Sequence, residues 1–267
     1  MGVARGGNLS DAQVRSAGAD APRVTLTDEL DQTRRTRALV ETLIAHPDRL
    51  GPDFAPIRRL ANDTVVGWKA TGRGLPGTEL ADTLALLAGA ASLGLVERLD
   101  WAFRCLAFDR ALDAGVDVPL HITPEPDTFV SACPPRLAVS FGRGRRALAV
   151  AAEIHDDSFA DVGRLRSALA EFREWGWAIV LADLSDSPEA TRAMSWLTPD
   201  IVQVDLSVPG RDQSPAVRRL LATAEECGAE VMALGVDSPL RRSVAVELGA
   251  TLARGKLIGT PGPHPYA

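Results

Sequence analysis

The sequence is poor in the residues that staple or anchor a fold. Its 267 residues hold three cysteines, Cys105, Cys133 and Cys227, far apart in the chain and odd in number. No CxxC pair or His/Cys cluster at zinc spacing accompanies them. That excludes a disulfide scaffold and a structural zinc site, and it predicts reduced, buried thiols. Long apolar runs are also missing. None is long enough to cross a bilayer, and the stretch Met1–Asp20 lacks the apolar core of a signal peptide. A cytoplasmic protein with no membrane partner is expected. Lysine is nearly absent, with Lys69 and Lys256 alone among 29 Lys+Arg, and 35 Asp+Glu leave a net charge of −6. That balance speaks against a nucleic-acid or anionic-membrane partner. What is present, 46% hydrophobic and 24% charged residues, is ordinary globular composition. A chain of this length buries a core without a staple.

Residues 1–24 are rich in Gly, Ala, Ser and charge without periodicity, which predicts a disordered tail. Residues 25–50 read as an N-terminal helix. Leu26, Leu30, Val40 and Ile44 recur at helical spacing, Asp28 and Glu29 lie in the first turn, and Pro47 ends the run. From residue 51 to 267 the pattern is that of one α/β domain. Phe54–Ile57 and Thr64–Trp68 are strand-like runs around an Asn-Asp turn, and they predict an antiparallel hairpin. Helical patterns follow at 78–93 and 96–114.

Strands and helices then alternate. The strands are Val118–Ile122, Ala147–Ile154, Ala178–Ala182, Ile201–Asp205, Glu230–Leu234 and Thr251–Ala253. The helices fall at 159–175, 188–197, 213–227 and 238–248. Pro134-Pro135, Gly142 and Gly144 argue against a long helix in 126–146. The strands lack polar alternation, as strands buried on both faces do. With the two hairpin strands they total eight, and the repeated β-α units suggest a (β/α)8 barrel, with a doubly wound open sheet as the competitor.

Motif by motif, little chemistry stands out. Gly249…Gly255-Lys256 fails as a phosphate loop, because its spacing is one residue too long and Leu257 replaces the magnesium-binding hydroxyl. Gly142-Arg-Gly-Arg-Arg146 reads as a solvated turn. No Ser sits in a nucleophile elbow. The informative residues close the apolar strands: Lys69, His121, Glu153, Asp183, Asp205 and Asp237. In a barrel such positions converge on the mouth where ligands bind.

At these residues the chain resembles the EAL domain, the family of cyclic di-GMP phosphodiesterases. Phe54-Ala-Pro-Ile57 is similar to the family's F-Q-P-I, and Val66-Gly-Trp-Lys-Ala-Thr-Gly-Arg73 to V-G-Y-E-A-L-x-R. Leu120-His-Ile-Thr-Pro124 resembles V-N-L-S-P, and Glu153-Ile-His-Asp156 resembles E-I-T-E. The run Ala182–Asp205 lies on the stretch that opens D-D-F-G-T-G and closes K-I-D. Ala233-Leu-Gly-Val-Asp237 resembles A-E-G-V-E, and Arg254–Pro261 resembles Q-G-Y-L-F-G-x-P. The resemblance implies a modified TIM (β/α)8 barrel with one antiparallel strand. It also implies a site built on Mg²⁺ or Mn²⁺, which need hard oxygen ligands and activate a water.

The departures from the family pattern fall on that site. Lys69 stands for the Glu of E-A-L, His121 for the metal-binding Asn and Ala182 for the first Asp of the pair. Gln203 replaces the Lys near the attacking water, Leu234 the Glu of A-E-G-V-E and Arg254 the closing Gln. Glu153, Asp156, Asp183, Asp205 and the phosphate-side Arg73 remain, beside Asp237. An ammonium repels a divalent ion, so the family metal site is expected to be lost, with no cofactor and no catalytic residue left. Lys69 is expected to pair with Glu153 and with Asp183.

The expected role is a regulatory module that contacts an unidentified protein partner or a second copy of itself. A receptor that binds cyclic di-GMP without cutting it is the alternative, with Arg73 and Arg254 on phosphates and His121 or Trp68 on a base. A residual phosphodiesterase is the third reading. The segment Ser185–Trp196, where family members often dimerise, has changed.

Overall fold

A computed structural model describes residues 26–182, 194 and 196–266. The expected tail, Asp183 and most of Ser185–Trp196 lie outside the described residues. The described part begins with helix α1 (Leu26–Ala45), whose buried Val40, Leu43 and Ile44 stand at i, i+3 and i+4 on one stripe. That stripe packs on the flank of the domain, against α2 (Thr83–Ser92) and α3 (Val96–Asp113).

Strands β1 (Gly51–Arg59) and β2 (Val65–Arg73) form the expected hairpin, with Ala55 opposite Lys69 and Pro56 opposite Trp68. Its turn holds Asp63 in the left-handed region at φ 60°. Asn62 Oδ1 accepts from the Thr64 amide at 3.3 Å and from its hydroxyl at 2.8 Å, the local bonding that suits Asn to turns. The chain continues through β3 (Leu120–Ile122), α4 (Ala138–Ala147), β4 (Val150–Ile154), α5 (Val162–Glu174), β5 (Ala178–Leu181) and β6 (Ile201–Asp205). It ends with α6 (Pro215–Cys227), β7 (Glu230–Leu234), α7 (Pro239–Glu247) and β8 (Leu252–Ala253).

The eight strands close in sequence order into a barrel. β1 runs antiparallel to both its neighbours, β2 and β8, and all other pairs are parallel. The open sheet is thereby excluded. Ile57, Ala151, Val180, Met232 and Leu252 fill the barrel floor. Phe108, Phe172, Trp177 and their neighbours pack between strands and helices. β1 bonds β8 over only two residue pairs, and its upper half is covered by the C-terminal segment, where Phe54 and Gly262 exchange backbone hydrogen bonds of 2.7 and 3.1 Å.

Several expectations are corrected. The first helix after the hairpin starts at Thr83, not near 78, because Asp82 caps it by accepting from the Ala85 amide at 2.9 Å. The segment 126–146 holds two single-turn 3-10 helices, Pro126–Thr128 and Pro135–Leu137, and the ten-residue α4, which the glycines do not prevent. α4 runs through both glycines to Ala147 and delays β4 to Val150. Gly144 is required there, since a Cβ on it would lie 2.3 Å from the buried Phe108 ring. The thiols are not uniformly buried either. Cys105 is buried, Cys133 is half-buried, and Cys227 is exposed at the last turn of α6.

Candidate functional site

Alternation along a strand sends neighbouring side chains to opposite faces. On β2 it turns Trp68 outward, against Tyr266 at a ring separation of 5.3 Å, and Lys69 inward. Trp68 is therefore not a mouth residue, contrary to expectation. His121 on β3 and Glu153 on β4 also point inward, and all three are buried, with Lys69 6%, His121 2% and Glu153 2% exposed.

Glu153 is the hub of this cluster. Lys69 Nζ donates to its Oε2 at 2.6 Å and also to the hydroxyl of Thr123. On the other oxygen, His121 Nδ1 lies at 3.3 Å and Arg254 Nη1 at 4.0 Å. Burial by itself would push the Glu153 carboxyl up. Lys69, His121 and Arg254 outweigh that and hold it well below the usual carboxylate range. Burial pulls the Lys69 ammonium down, with Glu153 pulling it back up. Burial likewise lowers His121. A neutral imidazole with its proton on Nδ1 then donates to Glu153.

The remaining expected residues sit around this hub. Ala182 is buried, and its amide donates to Ile154 O at 2.8 Å. Gln203 points into the barrel, 2% exposed, and its Nε2 has no hydrogen-bond partner among the described residues. Leu234 closes β7. Asp205 and Asp237 line the mouth cleft together with Thr71, Ser207, Arg254 and Lys256. Each is held by backbone, Asp205 Oδ1 by the Ser207 amide and Asp237 Oδ1 by the Lys256 amide, both at 2.8 Å.

Arg73 ends β2. It is 60% exposed, and its Nε pairs with Asp53 at 2.9 Å across the hairpin. Asp156 opens the turn Asp156–Asp161, and its side chain is outside the described part. The Lys69–Glu153 contact is present, while Asp183 is not described.

Sequence reasoning missed Thr123, although it lies two residues after His121 and so shares its face. It also missed a cavity of about 170 Å³ beside the mouth, between β2, α2 and α3, walled by Leu86, Leu87, Leu99 and Phe103. Lys69 also lines it. Glu125, also in its lining, is pushed up to about 7 by burial and by Asp100, Asp157 and Asp127. Among the described residues no three Asp, Glu, His or Cys side chains come together as a metal would need, and no helix is long and apolar enough to cross a membrane.

A closed eight-stranded barrel with β1 reversed, and inward polar residues at its strand ends, defines the class. The EAL domain family matches residues 36–261, and the chain belongs to it. No curated protein matches. Among solved structures the chain is similar to the FimX EAL domain of Xanthomonas citri in complex with c-diGMP. The TM-score there is 0.75 at 15% identity, over 90% of this chain and 99% of that one. It is similar to the FimX EAL domain of Pseudomonas aeruginosa bound to c-di-GMP (TM-score 0.70, 16% identity, 87% and 98% covered). It is also similar to the Bacillus subtilis YkuI protein, with an EAL domain, in complex with substrate c-di-GMP and calcium (TM-score 0.68, 18% identity, 85% and 58% covered).

Proposed function

We propose that this chain is a non-hydrolysing EAL domain, a regulatory module of cyclic di-GMP signalling that acts by contact with another protein or a second copy of itself. The reading rests on one observation: Glu153 is already saturated by nitrogen. An ammonium at 2.6 Å occupies one carboxylate oxygen, and an imidazole and a guanidinium face the other. A divalent ion at this point would have to displace a cation with which it repels, and it would find no side-chain oxygen on Ala182 or Leu234. These residues do not fit Mg²⁺ or Mn²⁺, so no water is activated here. The reading places the module in the cytoplasm.

Incubating the protein with cyclic di-GMP and Mn²⁺ or Mg²⁺ tests it. No turnover above buffer is expected, and Lys69→Glu alone does not create any, because Ala182 and Leu234 still lack oxygens. Turnover that disappears in Glu153→Ala overturns the reading.

A second reading, a receptor that binds the dinucleotide without cutting it, is favoured by the open mouth cleft, where Thr71, Ser207, Asp237, Arg254 and Lys256 remain exposed or half-buried. The three similar structures named above carry that dinucleotide. Calorimetric titration separates the two readings. Binding tighter than about 10 μM, roughly −7 kcal/mol, supports the receptor, and no heat supports protein contact.

A further inference from the structure

Helix α3 and the segment after β3 run side by side for a little more than one turn. Thr128 Oγ1 lies 2.7 Å from Asp100 Oδ2 and accepts from Arg104 Nη2 at 2.8 Å. Next along the helix, Trp101 Nε1 donates to Ser131 Oγ at 2.8 Å. Cys105 follows Trp101 by four residues, about 6 Å along a helix axis. Cys133 follows Ser131 by two, about 6–7 Å of extended chain. Both thiols turn toward one short turn, residues 134–137, Cys105 Sγ donating to Leu137 O at 3.8 Å and Cys133 Sγ to Pro134 O at 3.6 Å, inside one apolar cluster, and each perturbs the other's ionisation. Residues far apart in the sequence thus become neighbours in the fold.

We propose that Cys105 and Cys133 form a redox pair, which closes to an intrachain disulfide when the protein meets a peroxide and reopens with a thiol reductant. The roles follow from exposure. Cys133 is half-buried and reachable, whereas Cys105 is 2% exposed. The Cys133 thiolate attacks one peroxide oxygen. An S–O bond forms, the O–O bond breaks, and the departing hydroxide takes up the thiol proton as water. The Cys105 thiolate then attacks the sulfenic sulfur, forming S–S and expelling hydroxide, which becomes the second water with the Cys105 proton. In sum, two thiols and one hydrogen peroxide give one disulfide and two waters. The sulfurs lose two electrons and the peroxide gains them.

The environment sets the pace of this reaction. Burial pushes both thiols up, Cys105 to about 12, so little thiolate is present near neutrality and the pair answers sustained oxidant rather than a brief pulse. Cys105 and Arg104 act in the opposite sense on Cys133 and favour its thiolate, in keeping with Cys133 as the first nucleophile. Closure would tie the segment after β3, which carries Thr123 and Glu125, to α3.

The test exposes the full-length protein to hydrogen peroxide, removes the excess with catalase, and alkylates free thiols under denaturing conditions before non-reducing peptide mass spectrometry. The expected result is loss of two of the three thiols, a cross-linked Cys105–Cys133 peptide and an alkylated Cys227. A melting temperature higher by several degrees should return to its starting value with dithiothreitol. Cys227→Ser leaves this pattern intact, and Cys133→Ser abolishes the cross-link. Alkylation of both Cys105 and Cys133 after oxidation, separate sulfinic acids without a cross-link, or a disulfide that forms only through Cys227 between two molecules overturns the proposal.

Discussion

At the scale of single residues, the centre of the molecule is one carboxylate surrounded by nitrogen. Breaking a buried pair from one side leaves an uncompensated charge, at about 3–5 kcal/mol, whereas replacing both partners by apolar groups of similar volume is often neutral. Lys69→Ala should therefore lower stability by about that amount, and the double change Lys69→Met with Glu153→Leu should recover most of it. Urea midpoints of the two singles and the double measure the coupling. An unchanged midpoint for Lys69→Ala would sink the pairing. Much of this cluster could be read from the chain itself. A cation at the end of an apolar strand needs a partner, and Glu153 is the acid that closes a nearby strand. Thr123 and the Arg254–Glu153 approach could not be read so directly, because they depend on how deep each side chain reaches into the barrel. Arg73 has a contact that was hidden for a similar reason. Its register partner Gly51 brings Asp53 of the same hairpin within 2.9 Å, a local competitor that a motif match does not display.

At the scale of elements, local sequence signals served well where one principle dominates. Ile201–Asp205 and Glu230–Leu234 have the bounds expected from their apolar runs. α6 begins at Pro215 after the Ser214 cap and stops before Gly228 at φ 73°, as start and stop residues dictate. α4 shows where such signals fail. Its two glycines weaken the helix by propensity, yet packing on α3 selects one of them. Gly144→Ala should destabilise by about 1–3 kcal/mol, since the new methyl meets the rigid, buried Phe108 at 2.3 Å. Gly142→Ala meets only the flexible Arg146 guanidinium at 3.3 Å, and should stabilise by about 0.5–1 kcal/mol. Thermal unfolding of the two variants checks the contrast, and equal shifts would mean that α4 does not lie on Phe108 as described. The short β8 owes its existence to barrel closure, because two residues carry no periodicity of their own.

At the scale of the whole molecule, the buried Glu153 and the partly buried Glu125 respond to pH in opposite senses. Glu153 is held well below its ordinary value, so its stabilising share is present above about pH 4.5 and is lost as pH falls through the folded value. Glu125 is raised to about 7. Below its ordinary 4.5 it is protonated in both states and costs nothing; between there and 7 the unfolded chain ionises more readily, and stability declines as pH rises. Above 7 the loss has reached its full extent. Glu125 is only partly buried, so solvent screening trims the effect to about 1–2 kcal/mol. Glu125→Gln removes the ionisation and leaves the other titrating groups in place. The difference between variant and parent therefore isolates this one carboxyl. Denaturant midpoints should favour Glu125→Gln at pH 8, with the advantage shrinking steadily toward pH 5. An advantage of equal size at both pH values would show that the amide gains by packing in the cavity between β2, α2 and α3, and not by sparing a carboxylate its burial among Asp100, Asp127 and Asp157.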